Sequence, residues 1–401
     1  MKISLKRTPE QIELVKAMAS RNRDVAYEAQ VALAQFLGPV LAEVINNAPV
    51  LSNLFTPLSF NAEDNPSIPL DLYYDITDED YIQIYSQQVA GGLPTNQVLP
   101  TTSEMKITTY TLDSALSFDK RYAAKSRMDV VSKTFTRMAQ EILFKQERTS
   151  GNLILSALAN ASTNGKKHVQ RANAAGRFLL QDMNELLTLS RRVFTSFTGG
   201  TMPTGQSSMG VTDLMISPEI EEELRAMAYN PINTKGSPIA VSDNSPLAST
   251  DSRNTAFITA PDSVRVGLFN GGGVSSFYGV NLMVFNEFGA GKKFNTIFDT
   301  VAGDTLYTKA DGTGGAKFGR NVADSADAFD ELILGLNRNR ESLIRAIAVD
   351  SETGSEFSLV ADDQYSIRQN KIGYFGSLEE GRMVLDHRAL FGKIVTRSSN
   401  A

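Results

Sequence analysis

Residues 126–162 read SRMDVVSKTFTRMAQEILFKQERTSGNLILSALANAS, and the alternation of polar and apolar residues in this stretch decides how the rest of the chain must be arranged. Val131, Phe135, Met138 and Ile142 recur at four, three and four, which is one face of a 3.6-residue helix. Leu153, Ile154, Ala157 and Leu158 resume that apolar face. Lys133, Arg137, Glu141 and Lys145 recur at four on another face, with Glu141 between two cations. Ser126 followed by Asp129 has capping-box spacing, and Gly165 suits a left-handed cap at the far end. The weak point is Lys145–Asn152, a polar run containing Gly151. Because the apolar faces match on either side of it, the expectation is one continuous helix from Met128 to Ala161, about 50 Å long at ~1.5 Å per residue. Such a helix is a strut, suited to spanning a distance rather than enclosing a substrate.

Upstream, Thr8-Pro9-Glu10-Gln11 is a helix start, with Thr8 as cap, Pro9 in the first turn and Gln11 completing a capping box. A second helical pattern over Val25–Leu37 places Ala26, Ala29, Leu33 and Leu37 together, and Gly38-Pro39 is expected to break or bend it before Val40–Ile45. From Pro57 the period changes to two. Ile68–Tyr74, Tyr81–Tyr85, Met105–Leu112 and Ala115–Phe118 alternate around turn chemistry at Gly91-Gly92-Leu93-Pro94. This predicts a long two-stranded ribbon over roughly residues 66–118, and an isolated hairpin of that length needs something to lie on.

Downstream, Phe178–Phe194 has helical spacing, Asp213–Ile216 reads as a strand, and Ser217-Pro218-Glu219 opens a short helix ending near Met227. Strand-like runs follow at Ala256–Ile258, Val264–Phe269 and Val280–Phe285. Residues 230–253 and 302–325 read as loops, and Phe329–Leu336 and Ile344–Val349 as short ordered elements. The end of the chain holds strands at Ile372–Phe375, Arg382–Leu385 and Lys393–Val395, with a turn of helix over Asp386–Phe391.

The 401 residues suffice for two or three domains. The net charge of −6 hides a strong asymmetry. Residues 1–23 carry six cations (Lys2, Lys6, Arg7, Lys16, Arg21, Arg23) against Glu10 and Glu13, whereas residues 24–105 contain no Lys or Arg and eleven acids. A block so free of cations speaks to partners rather than to fold. With no Cys, disulfides, thiolate nucleophiles and cysteine zinc sites are excluded. His168 and His387 are the only imidazoles, far apart and not at ligand spacing, so no metal site is expected. No apolar run reads as a membrane span; Val31–Ile45 comes nearest but contains Gln35, Gly38, Pro39 and Glu43. Met1–Arg23 lacks the apolar core of a signal peptide, so a soluble chain made in the cytoplasm is expected.

Motifs that suggest chemistry fail on spacing. Gly289-Ala290-Gly291-Lys292-Lys293 lacks the first Gly and the final Ser or Thr of a phosphate loop, because Asn286 and Lys293 stand in those places, and reads as a basic surface turn. Ser117-Phe118-Asp119-Lys120 has the serine–lysine spacing of some acyl enzymes without their companion motifs. Asp75, Asp78, Glu79 and Asp80 lack the spacing of a calcium loop. No catalytic residue, cofactor or metal ligand is assigned.

The order of these elements resembles that of tailed-bacteriophage major capsid proteins, the Hong Kong 97-like shell fold shared with encapsulin compartments. The resemblance is carried by Glu104–Arg127 (EMKITTYTLDSALSFDKRYAAKSR, before MDVV), Asp213–Met227 (DLMISPEIEEELRAM), Gly279–Glu287 (GVNLMVFNE) and Gly381–Leu390 (GRMVLDHRAL). It implies an α+β architecture: an N-terminal helical arm over residues 1–56, an extended β-ribbon loop over 57–118, a peripheral domain with the spine helix over 119–170 and 365–401, and an axial α/β domain over 171–364. It implies no enzyme activity. Copies would form hexamers and pentamers of an icosahedral head in the virion, assembled in the host cytoplasm with scaffolding, portal and decoration proteins. The head would enclose double-stranded DNA contacted without sequence specificity, and no membrane.

Within that frame the ribbon's Asp71, Asp75, Asp78, Glu79 and Asp80, with Ile82, Ile84 and Tyr85, are the candidate contacts to a neighbouring subunit. Its spine face would supply Lys133, Arg137 and Lys145. Two other readings stay open: an encapsulin-type shell around enzyme cargo, and a cytoplasmic α/β enzyme with an unrecognised site.

Overall fold

The computed structural model describes residues 8–47, 51–69, 104–163, 165–173, 178–193, 210–228, 276–277, 279–289, 291–321, 328–350, 355–362 and 370–398. In chain order the first half forms α1 (Pro9–Ala17), α2 (Arg23–Asn47), β1 (Thr56–Asn61), β2 (Ser67–Pro69), β3 (Glu104–Lys106), β4 (Thr109–Asp119), α3 (Lys120–Ala124) and α4 (Met128–Asn160). There follow β5 (Ser162–Thr163), β6 (Lys166–Lys167), β7 (Val169–Arg171), α5 (Leu180–Arg192), β8 (Asp213–Ile216), α6 (Pro218–Ala228), β9 (Ser276–Phe277), β10 (Val280–Val284) and α7 (Lys293–Ala302). The last part is strand-rich: β11 (Leu306–Tyr307), β12 (Ala316–Lys317), β13 (Arg320–Asn321), β14 (Ala328–Leu336), β15 (Leu343–Val349), β16 (Ser358–Asp362), β17 (Lys371–Val384) and β18 (Leu390–Ser398).

The described residues fall into two compact units. The first takes those up to Leu153 together with Leu343–Leu385, and the second takes those of Ile154–Ser342 and from Asp386 onward. The returning end of the chain is therefore divided. β17 belongs to the first unit and β18 to the second, whereas the sequence reading kept 365–401 together and closed the second region at 364.

The helix α4 is continuous over 33 residues. The polar run does not interrupt it, because Gln146, Ser150 and Gly151 point inward and Ile142 and Ile154 on either side are buried. Ser150 Oγ donates to the Gln146 carbonyl (2.8 Å), a bond within the helix that removes the hydroxyl as a competitor for the backbone. The start differs from expectation. Ser126 adopts a positive φ of 52° and its hydroxyl has no partner, so it does not cap. The first i→i−4 bond runs from Val131 N–H to the Arg127 carbonyl, which moves the cap to Arg127. Gly165 does take the left-handed conformation (φ 75°), but in the turn of the β5–β6 hairpin rather than at the helix end.

At the N-terminus Thr8 caps α1, its hydroxyl accepting from Gln11 N–H, while Gln11 Oε1 finds no partner and the box stays half made. Pro39 lies inside α2, which runs unbroken for 25 residues. Leu33, Leu37, Leu41 and Ile45 continue one buried stripe through it, and Gly38 leaves the pre-proline position without a Cβ to clash. The interior burial thus outweighs the hydrogen bond that proline removes. By length and composition α2 is the one helix among the described residues long and apolar enough to cross a membrane, over Arg23–Ile45. Here its stripe is packed in the first unit's core with Val15, Met18, Phe135 and Met138.

The five-stranded sheet of the first unit is built around β17. β4 pairs antiparallel along one edge from Thr109↔Gly381 to Asp119↔Lys371. β15 and β16 share the other edge, end to end, and β1 adds parallel to β15. The expected ribbon is thereby corrected in extent. β4 is not a ribbon strand; only β2 and β3 pair with each other, Ser67↔Lys106 to Pro69↔Glu104, and the rest of that segment lies outside the described residues. A period-two pattern specifies which face is buried but not which strand is the partner. Tyr374 centres the core: its ring lies 5.0 Å from Phe135 and 6.4 Å from Phe118, and its hydroxyl reaches Met18 Sδ (3.2 Å).

Where β17 passes the end of β3, Gly381 is required by space. A Cβ there would lie 2.8 Å from Ile107 Cγ2 and 2.9 Å from the Thr108 carbonyl oxygen. Gly381→Ala is expected to cost about 1–3 kcal/mol through this overpacking, read as a lower urea midpoint with an unchanged slope.

The second unit holds a seven-stranded mixed sheet ordered β7-β18-β14-β8-β10-β9, with β13 added on β14. β14 and β18 pair antiparallel over their whole lengths, Ala328↔Ser398 to Leu336↔Leu390. α5 and α6 form as expected, with Asp182 Oδ2 accepting from Leu179 N–H and Ser217 Oγ accepting from Ile220 N–H. Gly289–Lys292 leads directly into α7, a helix the sequence reading missed, and residues 302–325 contain the β11–β12 hairpin rather than only loop. Of the expected strands, Ala256–Ile258 and Val264–Phe269 lie outside the described residues.

Candidate functional site

The acidic and apolar ribbon candidates, Asp71, Asp75, Asp78, Glu79, Asp80, Ile82, Ile84 and Tyr85, lie outside the described residues. Their expected counterparts are placed. Lys133, Arg137 and Lys145 are exposed along one face of α4, in line with Asp129, Glu141, Phe144 and Arg148. Arg137 Nε meets Glu141 Oε1 at 2.9 Å, the i,i+4 pair the spacing predicted. Phe144, 58% exposed, sits in the middle of this basic stripe. Lys133, Arg137, Lys145 and Arg148 outnumber Asp129 and Glu141 on this open face, which is net positive.

Below that surface, charge of a different kind is enclosed in the first unit. Glu380 is fully buried on the inner face of β17 and receives Arg345 Nε (3.0 Å), Arg382 Nη2 (3.0 Å), the Tyr110 hydroxyl (2.8 Å) and Gln146 Nε2 (3.2 Å). Arg382 also donates to Ser52 Oγ (2.8 Å) and the Gln146 carbonyl (3.0 Å), and its guanidinium lies 5.6 Å from the Phe55 ring. Glu147 accepts from the backbone N–H groups of Leu51 and Ser52. Four separate stretches of chain thus meet on one carboxylate. Burial pushes the Glu380 carboxyl up, but Arg382 and Arg345 more than offset this and hold it below the usual glutamate range. Burial raises the Tyr110 hydroxyl well above its ordinary value, with the Glu380 charge adding to it. Burial pulls Arg345 down and Glu380 opposes it, so the guanidinium stays charged.

This network was legible only in part. Glu380 and Arg382 share the parity of Ile372, Tyr374 and Leu378 on one strand, which aims them inward, but nothing in the sequence pairs them with Arg345 or Tyr110.

The second unit has two analogous clusters. Arg171 binds Asp330 through both carboxylate oxygens (2.6 and 3.2 Å). Lys393, fully buried, reaches Glu185 (2.6 Å) and Asp182 (3.5 Å). Burial raises the Glu185 carboxyl, yet Lys393 and Asn173 together hold it below the usual range. A cavity of about 760 Å³ opens beside α5, lined by Lys166, His168, Gln170, Asn184, Glu185 and Arg192 among others. The Thr163 hydroxyl lies 2.8 Å from His168 Nε2 on its wall, and no group of three potential metal ligands occurs among the described residues. Each buried cation has a carboxylate partner, although Arg171 Nε, Arg345 Nη2 and Arg382 Nε make no hydrogen bond among the described residues.

No family model matches the chain, and no curated protein matches it. Among solved structures it is similar to the capsid of a native GTA particle, at 10% identity and a TM-score of 0.43 over 87% of this chain and 89% of that one. It is similar to Microbacterium phage Oxtober96 at 10% identity and a TM-score of 0.42, over 87% of this chain and 91% of that one. It is similar to the SrpI encapsulin of Synechococcus elongatus at 14% identity and a TM-score of 0.38, over 73% and 75%.

Proposed function

We propose that this chain is the major capsid protein of a tailed double-stranded DNA bacteriophage, a Hong Kong 97-like shell subunit that assembles into hexamers and pentamers around the genome. The observation that carries the reading is the unbroken 33-residue α4 packed on the β4–β17 sheet, with the short β2–β3 pair joining the chain on either side of residues 70–103. The buried ion cluster of the first unit supports the same reading, because it braces β4, β15 and β17 against α4. Scaffolding, portal and decoration proteins, and assembly in the host cytoplasm, belong to this proposal.

Contacts between subunits are assigned to the ribbon acids Asp71, Asp75, Asp78, Glu79 and Asp80 against Lys133, Arg137 and Lys145 of a neighbour, with Ile82, Ile84 and Tyr85 adding apolar contact. Electron microscopy of the purified protein at assembly concentrations tests the function. Closed particles of uniform size are expected. A population that stays as monomers or small oligomers would overturn the reading in favour of an enzyme, and closed shells filled with a copurifying cargo protein would favour the encapsulin-type compartment.

A further inference from the structure

The chain's two histidines, separated in sequence, lie against each other. His168 is fully buried and its ring stacks on that of His387 (centroids 5.6 Å, 30°) and on Phe391 (5.4 Å, 22°). His168 Nδ1 faces two carbonyl oxygens, Leu390 at 3.1 Å and His387 at 3.2 Å, so it must carry the proton and donate. Nε2 is then the acceptor, and the Thr163 hydroxyl donates to it at 2.8 Å. His387 is exposed and places Nε2 3.2 Å from the Ser162 carbonyl. The two imidazoles therefore grip both residues of β5, and His168 N–H bonds the Ala161 carbonyl while its own carbonyl accepts from Gly392 N–H on β18. Neutral His168 meets all three partners of its ring.

We propose that His168 and His387 form an acid-released latch that holds the β5–β6 hairpin, the segment directly after α4, onto the start of β18. The surroundings do not support a second proton. The hairpin brings Lys166 and Lys167, the turn before β18 brings His387 and Arg388, and α5 brings Arg192 to the cavity that His168 lines. The acids in reach are already engaged: Asp386 with Arg388 (3.0 Å), and Glu185 with Lys393, the buried cation of β18. Protonation of His168 reverses the Thr163 hydrogen bond and puts a fully buried cation beside a cavity that Lys166 and Arg192 also line. Consistently, burial lowers the His168 pKa, the two carbonyl bonds and Asp386 resist, and His387 adds to the lowering. The sign follows: the neutral form is the one the fold favours, so the latch is intact above the ordinary histidine pKa of ~6.5 and is lost as pH falls below it.

Exchange of the imidazole C2 hydrogens, followed by mass spectrometry on the full chain, reads each histidine separately, since the two fall in different peptides. His168 should titrate below the ordinary histidine value of ~6.5. Amide exchange over residues 161–168, corrected for the intrinsic rate, should show protection falling about tenfold or more between pH 7.5 and 5.0. His387→Gln removes the second positive charge and leaves a donor for Ser162; it should move both the His168 titration and the loss of protection, together, to different pH from the parent protein. His168→Gln, which can offer the same donor and acceptor without titrating, should make the hairpin's protection independent of pH. Equal protection at both pH values in the parent protein, or a His168 titration that His387→Gln leaves in place, overturns the latch.

Discussion

Glu380→Ala will destabilise the first unit by about 3–5 kcal/mol, the cost of leaving Arg345 and Arg382 buried without their shared anion. For a unit of this size that corresponds to a fall in melting temperature of roughly 10 °C or more. Calorimetry should show the loss in a transition that contains α4, β4 and β17, and a change under about 1 kcal/mol would mean the network is not what joins those elements. Glu380→Gln should cost less, because the amide oxygen still accepts from Tyr110 or an arginine. The same carboxylate predicts acid sensitivity. Its pKa in the fold is lowered, so its contribution is complete above the ordinary glutamate value of ~4.5 and fades as pH drops through the folded value. The Glu380→Ala protein should therefore lose less additional stability between pH 5 and 3 than the parent does.

The second large effect concerns assembly rather than folding. Changing Lys133, Arg137 and Lys145 together to glutamate is expected to leave α4 folded, since all three side chains are exposed. The local cost is three i,i+4 contacts, Asp129–Lys133, Arg137–Glu141 and Glu141–Lys145, turned from opposite-charge to like-charge, of order 0.2–0.5 kcal/mol for each attraction lost and each repulsion gained. Shell formation should nonetheless fall by about tenfold or more in rate, because three pairs worth ~0–1 kcal/mol each become repulsive at every repeated contact. Reversing Asp78, Glu79 and Asp80 to lysine should impair assembly alike, and combining the two sets should restore it. Light scattering during assembly measures all three. Rising salt should slow the parent protein, as the screening length shrinks to about 3 Å at 1 M. Failure of the combined variant to recover, with both single sets impaired and all folded by circular dichroism, would assign the α4 cations to a different anionic partner, such as packaged DNA.

The elements whose own residues repeat a period can be read directly from the chain. The long helix was legible because Val131, Phe135, Met138 and Ile142 continue past the polar run at Leu153 and Ile154, and burial of that stripe outweighs one glycine. β8, α5, α6 and β10 were legible for the same local reasons: helical spacing over Phe178–Phe194, the Ser217-Pro218-Glu219 helix start, and short apolar runs. The exposed cations of α4 followed from the same helical spacing.

Pairing, by contrast, emerges in the folded chain. β4 alternates as a ribbon strand would, and only its register on β17 shows that it belongs to a sheet. Two apparent strands at Ile372–Phe375 and Arg382–Leu385 are one, because Glu380 is neutralised from other parts of the chain and need not face water. The physical reason is common to these cases, to Pro39 in α2 and to the stacked histidines. A residue that breaks a local rule is accommodated by a partner distant in sequence, and a single sequence carries no record of which partner that is.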